Sequence, residues 1–339
     1  MNKKTISLLV ILLGALFNCY AQEGTKKFKL LVPKQKIAQS NYNSIRFIDS
    51  RSDTSVMGMG FVQTGMLNGR TAVVAEPALS TQLGDVLIAL TDSNAVKKEL
   101  LFQLRELRFS ELTKTTSERG TFSFRASLYA VENDDYRCIA RIDTISSLKS
   151  GIDVTNPLLK KTSSVIIDFL SANLSVKPSD PLIYKMSDIV KIDSLEKRSL
   201  KLYNTSSFVP GLYTTYQSFV KQSPDTQISV KEKDGSIDEV HSVSSDGKPE
   251  KIKLRDVYAV VYNGKPYVAT EYGYYPLEKR NDDFFYTGKL KVTSSAANVL
   301  AASMFGLLGA FLVGDSNSVY EMKMDHVNGN LIPVKLIEK

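Results

Sequence analysis

Tryptophan is absent from this 339-residue chain, and cysteine and histidine occur only twice each. With two histidines and two cysteines, several metal and nucleophile chemistries are short of parts. No phosphate-binding loop, HExxH segment or cysteine-pair motif occurs. The glycines at 58 and 60, followed by Gly65, miss the dinucleotide-binding spacing and open no helix, so they read as turn and strand glycines. A large surplus of one charge sign is also missing: 43 Lys and Arg face 36 Asp and Glu, a net +7. That excess is small and scattered, which argues against a nucleic-acid partner. What is there, 43% hydrophobic and 23% charged residues, is the composition of a folded protein, and the length allows two domains.

Residues 1–21 have the pattern of an export signal. Lys3 and Lys4 form a positive start, Ile6 to Phe17 an apolar core, and Cys19-Tyr20-Ala21 a small-residue exit before Gln22. The core is shorter than the roughly 18 residues that span a bilayer. Cleavage after Ala21 is the expectation, with a periplasmic location or the periplasmic face of the outer membrane. The competing route is a lipid anchor at Cys19, where Leu16-Phe17-Asn18-Cys19 keeps the leucine of a lipoprotein signal but has Asn before the cysteine. Cys138 then stands without an intramolecular partner. Its segment, Tyr136 to Ile142, alternates, and places it with Tyr136, Ala140 and Ile142 as a small buried hydrophobe.

A lysine-rich stretch over 22–43 reads as a polar, solvated leader. Strands are expected at 44–49, 56–62 and 70–75. Pro77 then opens a helix whose Leu79, Leu83, Val86, Leu87 and Leu90 share a face, with Ser80 or Thr81 as cap. Alternating runs at 100–111, with a bulge after Leu104, at 122–130 and at 136–142 predict strands with one buried and one wet face. Asn133-Asp134-Asp135 reads as a tight turn or a weak hard-cation loop. A second helix follows from Asn156-Pro157, with Leu159, Thr162, Ile166, Phe169 and Leu170 inward. Strands–helix–strands–helix over 44–177 predicts an α+β layer.

Phe47-Ile48-Asp49-Ser50-Arg51, then Met57-Gly58, the 79–90 helix and the paired strands 99–111 and 121–131 resemble the YajG-like and ABC-transport-auxiliary lipoproteins of the bacterial envelope. The resemblance covers the first half of the chain. It implies a small α/β sandwich with no catalytic residues, and it departs at Asn18.

Pro178 to Pro181 marks a boundary, and 178–339 reads as a mainly-β domain. A helix is expected over 187–200, an exposed loop over 231–251, and a hairpin around Asn263-Gly264. A final hairpin turns at Asn328-Gly329. Gly211 to Phe219, Pro224, Asp246-Gly247 and Asn263 to Tyr267 are similar to a module of uncharacterised secreted bacterial proteins, which implies a second domain and no activity. Aromatics crowd 272–286. Tyr272, Tyr274 and Phe285 are the candidates for stacking on a ligand, against the alternative of core pairing.

Between Lys291 and Asp315 no residue is charged, and 296–314 reads as an apolar helix whose almost wholly apolar part, 296–313, is about 27 Å long at ~1.5 Å per residue. Ala302, Gly306, Ala310 and Gly314 draw a glycine-zipper-like stripe down one side. Spanning a membrane, crossing its own domain, and forming a homo-oligomer or shallow membrane contact all stay open.

No catalytic residue, cofactor or metal site is expected. Asp325-His326 is tempting as a base, but neighbouring strand residues face opposite ways, so His326 reads as a satisfied residue. Two function classes remain: a non-catalytic envelope protein that binds a membrane surface or an envelope protein complex, and a carbohydrate-acting or other hydrolase using the aromatic-rich sheet.

Overall fold

The computed structural model describes residues 24–64, 69–114, 117–151, 153–179, 181–243, 249–289 and 318–338. The architecture is α+β, and the chain divides into two compact units, Met1–Ile183 and Tyr184–Lys339. The signal segment, Cys19, and the 296–314 stretch with Ala302, Gly306, Ala310 and Gly314 lie outside the described residues.

The first unit is built on β1 (Thr25–Phe28), β2 (Ser44–Asp49), β3 (Phe61–Thr64), β4 (Gly69–Ala75), α1 (Leu79–Leu90), β5 (Glu99–Lys114), β6 (Ser117–Glu132), β7 (Asp135–Ser150) and α2 (Thr155–Asn173). Its main sheet runs β2-β5-β6-β7, with β2 parallel to β5 and the other pairs antiparallel. A small sheet, β1-β4-β3, stands beside it. Phe102, Leu104, Leu107 and Phe109 of β5 and Phe122 and Phe124 of β6 bury one face under α1 and α2. Phe169 of α2 meets Phe102 and Phe124 edge-on at 6.3 and 6.1 Å, the geometry aromatic quadrupoles favour.

Several details differ from the sequence reading. Thr25–Phe28, inside the expected polar leader, pairs in parallel with β4, and Phe28 is fully buried against Phe109. Lys26 and Lys27 make this edge strand look like a solvated arm, because Phe28 is its only buried residue. Val56–Met59 is a turn of 3-10 helix rather than a strand. Gly60 follows it at φ +77°, its backbone against Phe109 O, where a Cβ would have no room. The bulge lies at Arg105. A second bulge, at Ile139, shifts the phase of β7, so Cys138 is buried beside Tyr136 and opposite Tyr129, while Ala140 and Ile142 face the core. Asn133 and Asp134 take φ of 50° and 62°, the two positive values of a type I′ hairpin turn. The second face of β6 is polar but not wet. Thr121, Ser123, Arg125, Ser127 and Tyr129 are all buried. Tyr129 donates to Gln103 Oε1 (3.2 Å), Gln103 donates to Ser50 (3.0 Å), and Arg125 pairs with Asp143 (2.9 Å).

The second unit carries α3 (Met186–Val190), α4 (Ile192–Ser199), α5 (Lys201–Asn204), β8 (Gly211–Tyr213), α6 (Tyr216–Val220), β9 (Ile228–Lys233), β10 (Ser236–Val243), β11 (Pro249–Lys251), β12 (Ala259–Tyr262), β13 (Lys265–Thr270), β14 (Gly273–Pro276), β15 (Glu278–Arg280), β16 (Asp283–Lys289), β17 (Val319–Met324) and β18 (Leu331–Glu338). The sheets run β14-β13-β12-β8, β15-β16-β17-β18 and β11-β10-β9. The expected 187–200 helix is broken at Lys191, and the expected loop over 231–251 is instead the antiparallel β9–β11 meander. Its hairpin turns at Asp234-Gly235, again with two positive φ values, 51° and 76°.

One pairing bears on the apolar stretch. Lys289 of β16 lies opposite Val319 of β17. The strands on either side of 290–318 are therefore hydrogen-bonded neighbours on the same side of any membrane. A single pass placing β17 across the bilayer from β16 is incompatible with that ladder, because one crossing separates its ends by about 30 Å. Among the described residues, no helix is long and apolar enough to cross a membrane.

Candidate functional site

In the first unit, the chain leaving β2 turns back on itself through Asp49 and Arg51. Asp49 Oδ1 accepts from the Arg51 backbone N–H (3.2 Å) and from Nε (2.9 Å), and Oδ2 accepts from Nη2 (2.7 Å). The Arg51 side chain is only 10% exposed, and its Nη1 is buried without a hydrogen-bond partner. Beside this pair lies a cavity of about 310 Å³. Phe47, Val73 and Leu79 give it an apolar wall, while Thr54, Ser55 and Ser80 give it hydroxyls. Asp53, two residues past Arg51, is held below the usual carboxylate range, first by the Ser55 hydroxyl and then by the Ser55 backbone N–H.

The start of α1 forms one side of the same cavity through Ala78, Leu79 and Ser80. Ser80 and Thr81 were the expected caps. The cap position is Ala78, which offers no side-chain acceptor, and the first turn holds no acid. The helix begins two residues earlier than a serine cap requires because Gln82 ties its first turn to β1. Gln82 Oε1 accepts from Leu30 N (2.6 Å), and Nε2 donates to Phe28 O (3.2 Å).

A second cavity, about 450 Å³, is lined by Asn41, Tyr42, Lys98, Glu132, Arg137 and Lys177 among others. Lys98 pairs with Glu132 at 2.5 Å, and both are about half exposed. Tyr42 is pushed up to about 12 by burial and by Glu132, and its hydroxyl donates to Val176 O (3.0 Å). Exposed cations around an already neutralised glutamate define no ligand.

In the second unit, His326 is buried and its Nε2 lies 3.1 Å from Glu196 Oε2 of α4. With Asp193 this makes one group whose ligand atoms lie within 4.8 Å of one another. The loop carrying His326 is held from beneath. Tyr216 donates to His326 O (2.6 Å) and Tyr258 to Gly329 O (2.7 Å). Gly329, at φ +75°, lies flat on the Tyr216 ring, where a Cβ would sit 2.3 Å from Cγ. Imidazole and two carboxylates are an acceptable donor set for a divalent cation. The Glu196 hydrogen bond accounts for the His326 orientation without one.

The three candidate stacking residues do not share a surface feature. Tyr274 is buried in a core cluster with Leu212 and Val260. Tyr272 sits in the turn before β14, half-buried. Phe285 is covered by the Arg280 guanidinium at 4.2 Å, which itself pairs with Glu321 (2.7 Å). Neither cavity described above is lined by any of them. The inward aromatics of this region are Phe284 and Tyr286, the latter stacked on Tyr275 at 5.5 Å.

Sequence reasoning noted Asp49 and Arg51 only as a resemblance and missed Glu196 altogether, since its partner lies 130 positions away. The start of α1 was visible as a helix boundary but not as an open one.

No family model matches this chain, and no curated protein matches it. Among solved structures, the crystal structure of protein XCC0632 from Xanthomonas campestris, assigned to the DUF330 family, aligns with 44% of this chain and 96% of its own length. The identity is 10% and the TM-score 0.28. A likeness of that size is weak structural neighbourhood and assigns no function.

Proposed function

We propose that this chain is a non-catalytic, exported subunit of a bacterial cell envelope whose first unit binds a small molecule, and that it serves a membrane-surface or envelope assembly. The observation that supports this reading is the cavity beside Asp49 and Arg51. It offers a ligand an apolar wall and a polar one, as binding sites do. Its lining contains no imidazole and no thiol, and its one carboxylate is engaged by Arg51 on both oxygens. The resemblance of the Asp49-Ser50-Arg51 segment to envelope lipoproteins agrees with the export-signal pattern expected over 1–21.

The test is fractionation of native-host cells followed by intact mass of the purified chain. Envelope-fraction protein beginning at Gln22 is expected. A thioether-linked lipid on Cys19 keeps the envelope reading and adds an anchor, whereas cytosolic protein retaining residues 1–21 refutes it.

A further inference from the structure

We propose that the loop between β1 and β2 docks the first unit on a bilayer surface that carries anionic phospholipid. Leu31 and Val32 enter the interface, and Lys29, Lys34 and Lys36 meet the headgroups. This rests on the membrane-surface reading above and names the face and the lipid class that serve it.

The loop is built to hold apolar side chains outward. Phe28, at the end of β1, is fully buried, and Leu30 and Ile37 pack against the core of the first unit. Between these inward residues the backbone is tied to both helices. Leu30 N donates to Gln82 Oε1 of α1 and Leu31 N to Ser163 Oγ of α2, each at 2.6 Å, and Ile37 N donates to Leu90 O (2.7 Å). Pro33 keeps Val32 extended. What projects from this frame is Leu31, 44% exposed, and Val32, 73% exposed. An adjacent aliphatic pair is thus held in water by a pinned backbone, which leaves apolar surface that the fold itself does not bury.

The surrounding charge selects the partner. From Gly24 to Ile48 the sequence holds five Lys and one Arg and no Asp or Glu. Lys27 is paired with Glu76 (2.6 Å) and Arg46 with Glu99 (2.5 Å). Lys29, Lys34 and Lys36 are exposed and flank the aliphatic pair. On the helices that hold the loop, the exposed acids Asp85 and Asp168 are matched by the exposed Lys160 and Lys161, and Asp92, just past α1, is followed by Lys97. The three loop lysines are therefore a net surplus. Two aliphatic side chains are a small part of the roughly 800 Å² that each partner buries in a stable protein interface. They suffice at the boundary of headgroups and acyl chains, where binding grows with apolar area and with attraction to anionic lipid. Each lysine near such a surface strengthens binding about fivefold, and three together about a hundredfold.

The test is flotation, at low salt, of the chain from Gln22 onward. The vesicles are phosphatidylcholine alone, and equal parts phosphatidylcholine and phosphatidylglycerol. Binding to the anionic vesicles is expected to be tighter by about a hundredfold. The triple variant Lys29→Gln, Lys34→Gln, Lys36→Gln should remove that preference. Leu31→Ser with Val32→Ser should weaken binding by about tenfold. Both should leave the thermal midpoint unchanged, because all five positions are exposed. Val190→Ser, at a comparably exposed valine of the second unit (61%), should change nothing. Because the chain lacks tryptophan, Val32→Trp supplies a single reporter whose emission should shift to the blue on anionic vesicles. Binding that is indifferent to phosphatidylglycerol, or that survives both loop variants, places the contact elsewhere in the chain and overturns the proposal. An unshifted emission overturns it as well. No vesicle binding at all overturns it and leaves the loop to a protein partner. None of these results touches the export reading, which fractionation and the mass of the mature chain decide.

Discussion

Removing the Asp49–Arg51 pair one partner at a time, and then both together, measures whether this contact organises the cavity. The two side chains are 26% and 10% exposed, so the pair is neither a surface ion pair nor fully dry. Two unit charges at about 4 Å attract by about 4 kcal/mol at an effective dielectric of 20. Desolvation and lost rotamer freedom offset a good part of that. Arg51→Met leaves the Asp49 carboxylate with only the Arg51 backbone N–H as donor, and is expected to cost about 2–4 kcal/mol. Asp49→Asn keeps an acceptor for Nε but leaves the guanidinium without its nearest countercharge, at about 2 kcal/mol. The double variant should cost much less than the two added together, because neither charge is then stranded. A coupling energy of about 2 kcal/mol is expected. Urea unfolding of the chain from Gln22 onward, followed by circular dichroism with the first unit's transition fitted separately, reads all three values. A coupling below ~0.5 kcal/mol would mean the fork-shaped contact contributes no more than an exposed pair. The inference that Asp49 fixes Arg51, and so leaves Nη1 over, would then fail.

Gly329→Ala puts a methyl group onto a Tyr216 ring whose hydroxyl is anchored to His326 O, at a φ of +75°. The expected cost is about 2–4 kcal/mol from overpacking and left-handed strain, read as a loss of several degrees in the second unit's thermal midpoint; an unchanged midpoint would refute the contact. Glu111 is raised above the ordinary carboxylate range, first by burial and further by Glu118 and Asp153, and its Oε1 has no partner. A raised folded-state value means its contribution is fully present at acid pH and lost as pH climbs through that value. Glu111→Gln should therefore stabilise the chain by about 1 kcal/mol at pH 7 and by nothing near pH 4, and equal effects at both pH values would reject burial as the cause.

Elements whose hydrophobic pattern pays out locally were legible, and those defined by distant partners were not. The strands β5 and β6 declare themselves because Phe102, Leu104, Phe122 and Phe124 alternate with polar neighbours, and the step from Leu104 to Leu107 reveals even the bulge. The β9–β11 meander hides because it buries little more than Ile237 and Val240, so its sequence looks like a loop. In β1 a single residue, Phe28, carries the burial, and its parallel partner β4 is more than forty positions away. The polar face of β6 was taken for a wet one because alternation reports chemistry, and chemistry agrees with solvation only where hydrogen bonds are not met internally. Tyr129, Gln103 and Ser50 meet theirs across three strands.

The candidate site was obscured by a shift of two residues. Reading Ser80 or Thr81 as a cap gives the helix start a hydroxyl acceptor and closes its account. Beginning the helix at Leu79 moves both hydroxyls inside the first turn and leaves Ala78, with no acceptor, at the cap. Propensity favours the serine cap, since Ser caps well and Ala poorly. What overrides it is the grip of Gln82 on Leu30, Phe28 and the carbonyl of Pro77, which draws the first turn back toward β1. That grip is a tertiary contact across more than fifty positions, so no local pattern announces it. The same displacement leaves the first turn of α1 without a side-chain acceptor at its cap. A locally disfavoured helix start is thus held in place by a distant side chain, a case of tertiary contact overriding propensity.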